Sequence, residues 1–325
     1  MCALLEGGRP GCLLTWPSLL KSNVMNKFLF MYMSCMYLLM NIFNAYPDIS
    51  INQQLMFSAF FISLFGIPHG AIDNIIARHK TGINNVVFYI IYLLVFLVFL
   101  AVWYINPQIA LWSFLIISAY HFGESQLVQL IKSKKYNHLV FFLWGIWLIT
   151  SLLFFNSIEL EGIANSTTAF SIDKNTLSII PSMFYACSIF LVSALIILSI
   201  NKILKVKHLF QELFTLILVS LTFHIFPFIV GFTMYFVFLH SIRVMFHEYD
   251  FLKSRIEKLS YTAFIKLLLP NTIMFLLGVV IFLFLYSYNY FTLSLSEILI
   301  ISISCVTVPH AFVMMKFYKG QTQLS

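Results

Sequence analysis

The chain divides into about ten apolar runs, each close to the length of one membrane crossing: 28–44, 54–76, 86–105, 109–131, 138–155, 182–200, 208–225, 227–248, 263–287 and 295–317. A helix needs about 20 mostly apolar residues to span the hydrocarbon layer. In lipid every backbone N–H and C=O must be satisfied within the protein, so such runs form helices. The breaks carry turn chemistry, as at Tyr46-Pro47-Asp48, Asn106-Pro107, Ile180-Pro181 and Phe226-Pro227. With 61% hydrophobic and 10% charged residues, a water-soluble core is excluded. The expected fold is an all-α polytopic bundle of about ten spans.

The charges order these runs. Alternate loops hold Arg78/Lys80, Lys132/Lys134/Lys135, Lys202/Lys205/Lys207 and Lys253/Arg255/Lys258, and the tail holds Lys316/Lys319. The loops between them hold Asp48, Glu159, Glu161 and Asp173, with Lys174 as their one lysine. By the positive-inside rule both termini are expected on the cytoplasmic side of the cell (inner) membrane. The net charge of +7 therefore reports topology rather than a nucleic-acid surface. The five cysteines are scattered without a CxxC pair, which offers neither a disulfide framework nor a zinc site. Residues 1–24 lack a helical period and contain Gly7-Gly8-Arg9-Pro10-Gly11. They are expected to be a disordered extension or a start-site artefact, with 25–325 as one membrane domain.

Within this oil, three histidines sit in small motifs: His69 in Gly66-Ile67-Pro68-His69-Gly70-Ala71-Ile72-Asp73, His121 in Tyr120-His121-Phe122-Gly123-Glu124, and His240 in Tyr235-Phe236-Val237-Phe238-Leu239-His240-Ser241. Imidazole is costly in hydrocarbon unless something holds it, and it is a good transition-metal ligand. His69, His121, His240 and His310 all precede a cytoplasmic cluster by roughly 6 to 12 residues. At 1.5 Å per residue this places them in one band, about 9–18 Å from the boundary.

Each candidate also has a structural reading. His69 follows Pro68, so a kinked helix with a hydrogen-bonded imidazole competes with a ligand role. Asp73 lies one turn on and either orients His69 or caps a helix end. Glu124 stands in the same relation to His121, or reaches the interface. Arg243 is expected to extend to the boundary. His310, in Val308-Pro309-His310, fits a ligand and a supporting role equally. His224, His79, His138, His208 and His247 read as interfacial or solvated. Histidine boxes of the HxxxH kind, a mid-span lysine for a retinal Schiff base and a CxxCH haem motif are missing from the sequence.

Taken together, Gly66-x-Pro68-His69-Gly70-Ala71-x-Asp73, Tyr120-His121-Phe122-Gly123, Tyr235-Phe236-x-x-x-His240-Ser241 and Thr307-Val308-Pro309-His310 resemble, in order and approximate spacing, the Brp/Blh family of membrane β-carotene 15,15′-dioxygenases. The likeness covers nearly all of the chain from about residue 50. It implies Fe(II) held by His69, His121 and His240, with O₂ splitting the central double bond of β-carotene into two all-trans-retinals. It also implies a retinal-binding opsin as a downstream partner. Asp73 and Glu124 are then expected to orient the ligands. The chain departs from the family pattern His-Ser-x-Arg-His: His240-Ser241-Ile242-Arg243 is followed by Val244, which cannot bind metal. Three readings stay open at that point: a working three-histidine iron, rescue by His310 or His247, or a protein that has lost iron. The alternative function is a degenerate, non-catalytic carotenoid- or retinal-binding membrane protein. A proton-relaying transporter is a further rival.

Overall fold

In the computed structural model, residues 16–45, 49–131, 137–166, 174–288 and 293–319 are described. Asp48, Lys132, Lys134, Lys135 and Asp173, which carry part of the charge alternation, lie outside them, as do residues 1–15 of the expected extension. The described residues are helical with no strand. The elements are α1 (Trp16–Ala45), α2 (Ile51–Phe61), a π-helical turn π1 (Ile62–Gly66), α3 (Ile67–Gly70), α4 (Asp73–Thr81), α5 (Asn85–Ile105), α6 (Pro107–Leu127), α7 (Asn137–Phe155), α8 (Ser157–Ser166), α9 (Lys174–Ile200), α10 (Val206–Ile225), α11 (Phe228–Met234), a second π turn π2 (Tyr235–Ser241), α12 (Ile242–Lys253), α13 (Tyr261–Ser287) and α14 (Leu295–Lys319). Helix α1 thus begins inside the segment expected to be an extension.

Among the described residues eight helices are long and apolar enough to cross a membrane. Of the ten expected runs, 28–44 and 109–131 are the two that fall short. The first lies within the 30-residue α1, of which Lys27–Phe43 is the apolar part among the described residues. The second is α6, whose length suffices but whose inner end carries Ser118, His121, Glu124, Ser125 and Gln126, all buried. Its low hydropathy reflects this buried half; nearer Pro107 it exposes Ile109, Trp112 and Ile116.

Burial sorts the bundle into an inside and an outside. The hydrophobic windows of α5, α9 and α13 are only 17%, 17% and 12% buried, against 67% for Phe228–Lys253. Helices α5, α9 and α13 therefore present apolar side chains outward, as lipid-facing helices must. Helices α3, α4, α6, π2 and α14 surround the centre, with α14 packed on α4, α5 and α6. Helix α6 is phased by Asn106, whose side chain accepts the Ile109 N–H at 3.0 Å ahead of Pro107. It meets α7 backbone to backbone. A Cβ on Gly123 would stand 1.7 Å from the Phe141 carbonyl oxygen, and one on Gly145 would stand 1.7 Å from that of Ala119.

Candidate metal centre

Both π turns adjoin a motif histidine. A π turn inserts one residue into the helix and shifts the direction of every side chain after it. π1 precedes His69 and π2 contains His240. The two pack on each other, with Gly66 against Phe236: a Cβ at position 66 would come within 2.8 Å of that ring.

Four imidazoles from four parts of the bundle converge. Ring centres are 4.7 Å apart for His69–His310, 5.1 Å for His310–His121, 5.0 Å for His121–His240 and 5.3 Å for His240–His69. All four residues are at most 6% exposed. Ligand atoms of His69, His121 and His310 all lie within 4.8 Å of one another. His240 completes the ring of contacts on the side of His69 and His121.

The hydrogen bonds of His69, His240 and His310 fix which nitrogen each of these rings leaves open. His69 donates from Nδ1 to the Gly66 carbonyl. His310 donates from Nδ1 to the Asp73 carboxylate at 2.9 and 3.1 Å. Ser125 Oγ gives its proton to the Phe122 carbonyl at 2.8 Å, so at 3.0 Å it accepts from His240 Nδ1. Nε2 of His69, of His240 and of His310 is then a lone pair, buried and without a hydrogen-bond partner, and His121 leaves Nδ1 bare. Buried polar atoms are seldom left unmatched. Several open imidazole nitrogens in one dry pocket, with their opposite nitrogens tied to oxygen, are the donor set of a transition metal. The residues fit such an ion.

Several sequence expectations change here. Asp73 holds His310 rather than His69. Glu124 takes its bond from the Tyr120 hydroxyl at 3.2 Å, which also meets His138 Nδ1 at 2.6 Å, and it leaves His121 Nδ1 unpartnered. Arg243 turns inward: it is 4% exposed and donates to the Ser125 carbonyl at 3.0 Å. Val244 is fully buried. His247 is half-buried and outside the converging rings. Ser125 was missed, although its position four residues after His121 already placed it on the same face of α6. The Gly66 carbonyl gave no sequence signal, because it is a backbone group.

Aromatic rings close the pocket. Phe122 meets His240 edge-on at 4.9 Å, and Phe236 stacks on it at 5.6 Å. Phe236 also meets His69 at 5.6 Å. Their apolar faces line the imidazoles of His69 and His240.

Residues 60–318 match the beta-carotene 15,15'-dioxygenase family. No curated relative and no solved structure matches the chain.

Proposed function

Because the chain belongs to the β-carotene 15,15′-dioxygenase family, we propose that it cleaves β-carotene at the central 15,15′ double bond to two all-trans-retinals, using Fe(II) and O₂. The observation that carries this reading is the set of unpartnered nitrogens on His69, His121 and His240. These three would hold the ion. The chemistry iron would supply there is the activation of O₂, so that both oxygen atoms end in the products. The rest falls to the chain's own groups. Gly66 and Ser125 hold the protons of His69 and His240 on Nδ1, which keeps the open lone pairs facing the pocket. Phe122 and Phe236 place an apolar wall beside the rings and exclude water. β-Carotene reaches this wall from the bilayer, so the polyene never enters water.

The reading includes both termini on the cytoplasmic side of the cell (inner) membrane, and a retinal-binding opsin as the user of the product. Co-expression in carotene-producing bacteria tests it. Orange colour is lost and retinal appears if the reading holds. Unchanged pigment with the protein present in the membrane refutes it. Val244 favours a second reading, a carotenoid- or retinal-binding protein without catalysis. That protein would carry pigment through purification and form no product.

A further inference from the structure

We propose that His310 is a fourth ligand of this metal centre, positioned by Asp73, and that it stands in for the imidazole missing at position 244. The proposal rests on the metal reading above and concerns how this chain completes the site.

Position 244 follows His240 by four residues, at the start of α12 just after π2, and its valine offers no donor atom. The structure supplies a donor from another helix. His310 lies on α14 after Pro309, 4.7 Å from His69 and 5.1 Å from His121 between ring centres. It is His310, rather than His240, whose ligand atom joins those of His69 and His121 within 4.8 Å. The rings run His69, His310, His121, His240 in turn, so His310 lies across the cluster from His240.

The chemistry of the His310–Asp73 pair fits a ligand better than a structural pair. Asp73 is 3% exposed and bonds only one imidazole nitrogen through both its oxygens. That bond fixes the proton on Nδ1 and raises the basicity of Nε2, the arrangement that carboxylates impose on metal-bound imidazoles. The Nε2 so prepared has no partner. A structural pair would not need a second nitrogen left bare among three other imidazoles. The His310 ring packs on Gly70: a Cβ there would stand 3.4 Å from His310 Nδ1, an ordinary contact distance.

The test uses the purified full-length protein loaded with Fe(II). Iron content, its loss to a competing chelator, and the number of imidazoles seen by iron-edge X-ray absorption are read without reference to turnover. The wild type is expected to show four imidazoles. His310→Asn is expected to show three and to hold iron at least tenfold more weakly. Val244→His added to His310→Asn is expected to restore the fourth imidazole and the affinity. Asp73→Asn leaves the His310 ring in place and is expected to weaken iron binding by about 10–100-fold, the usual range for a lost supporting carboxylate. If His310→Asn keeps wild-type affinity and imidazole count, the proposal is overturned. Should His310→Asn not fold, Asp73→Asn decides: wild-type affinity in that variant overturns the proposal. A folded wild type that takes up no Fe(II) refutes the underlying metal reading instead.

Discussion

The role of Ser125 gives the sharpest prediction about the site. Its hydroxyl makes two buried bonds, donating to the Phe122 carbonyl and accepting from His240 Nδ1. Ser125→Ala removes the acceptor and leaves the imidazole N–H with nothing to meet. An unsatisfied buried donor costs about 1–3 kcal/mol. The ring escapes part of that cost by moving its proton to Nε2, but this blocks the nitrogen offered to metal. Either way the penalty falls on the metal-bound form. At about 1.4 kcal/mol per tenfold, iron affinity is expected to fall between about fivefold and about a hundredfold. The fold itself should be little affected. Alanine is the best helix former, and the Arg243 bond to residue 125 goes to its backbone carbonyl. The assay is competition for Fe(II) with a chelator of known affinity, run beside thermal unfolding of the metal-free protein. Ser118→Ala is the control: Ser118 is buried on the same helix, and its hydroxyl oxygen has no hydrogen-bond partner, so its removal should leave iron affinity unchanged. An affinity for Ser125→Ala within twofold of wild type would refute the argument that this hydroxyl sets the His240 tautomer.

Other outcomes follow from the same geometry. Gly145→Ala forces a methyl toward the Ala119 carbonyl, where 1.7 Å is available. Helices α6 and α7 must separate, and the cost should be at least the ~1–3 kcal/mol of an overpacked core, seen as lower thermal stability in detergent. Asn271 donates to the Ala71 carbonyl at 2.6 Å, at the break between α3 and α4. Asn271→Leu is expected to destabilise by about 1–3 kcal/mol, with weaker iron binding as the break loosens. Chelation of iron should abolish retinal formation, and Fe(II) should restore it while Zn(II) does not. Formation that persists in metal-free protein would exclude a metal role.

The sequence made the level of the site legible, but not its azimuth. Apolar runs and basic clusters measure distance along each helix, so the sequence alone puts His69, His121, His240 and His310 in one band. Direction around a helix is another matter, because it depends on every residue keeping the 100° step. π1 and π2 break that step beside His69 and His240, and nothing in Ile62–Gly66 or Tyr235–Ser241 announces a π turn. The same limit applies to α6. Its polar residues lower its hydropathy, yet they mark the half of it that is buried.

The partner of Asp73 shows how a local rule fails when the backbone bends. On a continuous helix, residues four apart share a face, and Asp73 would lie beneath His69. The helix is not continuous. α3 ends at Gly70 and α4 starts at Asp73, with Ile72 between them at φ −109° and ψ 15°. That break turns Asp73 away from its own segment and toward α14, where His310 meets it across 237 residues of chain. His69 is then served by a nearer group, the Gly66 carbonyl three residues before it. The motif Pro68-His69-Gly70-Ala71-Ile72-Asp73 thus places an imidazole and a carboxylate on two different sides of one pocket. Its break makes that division possible: the His310 ring packs on Gly70, and the turn at Ala71–Ile72 aims the carboxylate at it. A sequence motif that looks like one imidazole with its own support is, in three dimensions, one imidazole plus the support for another.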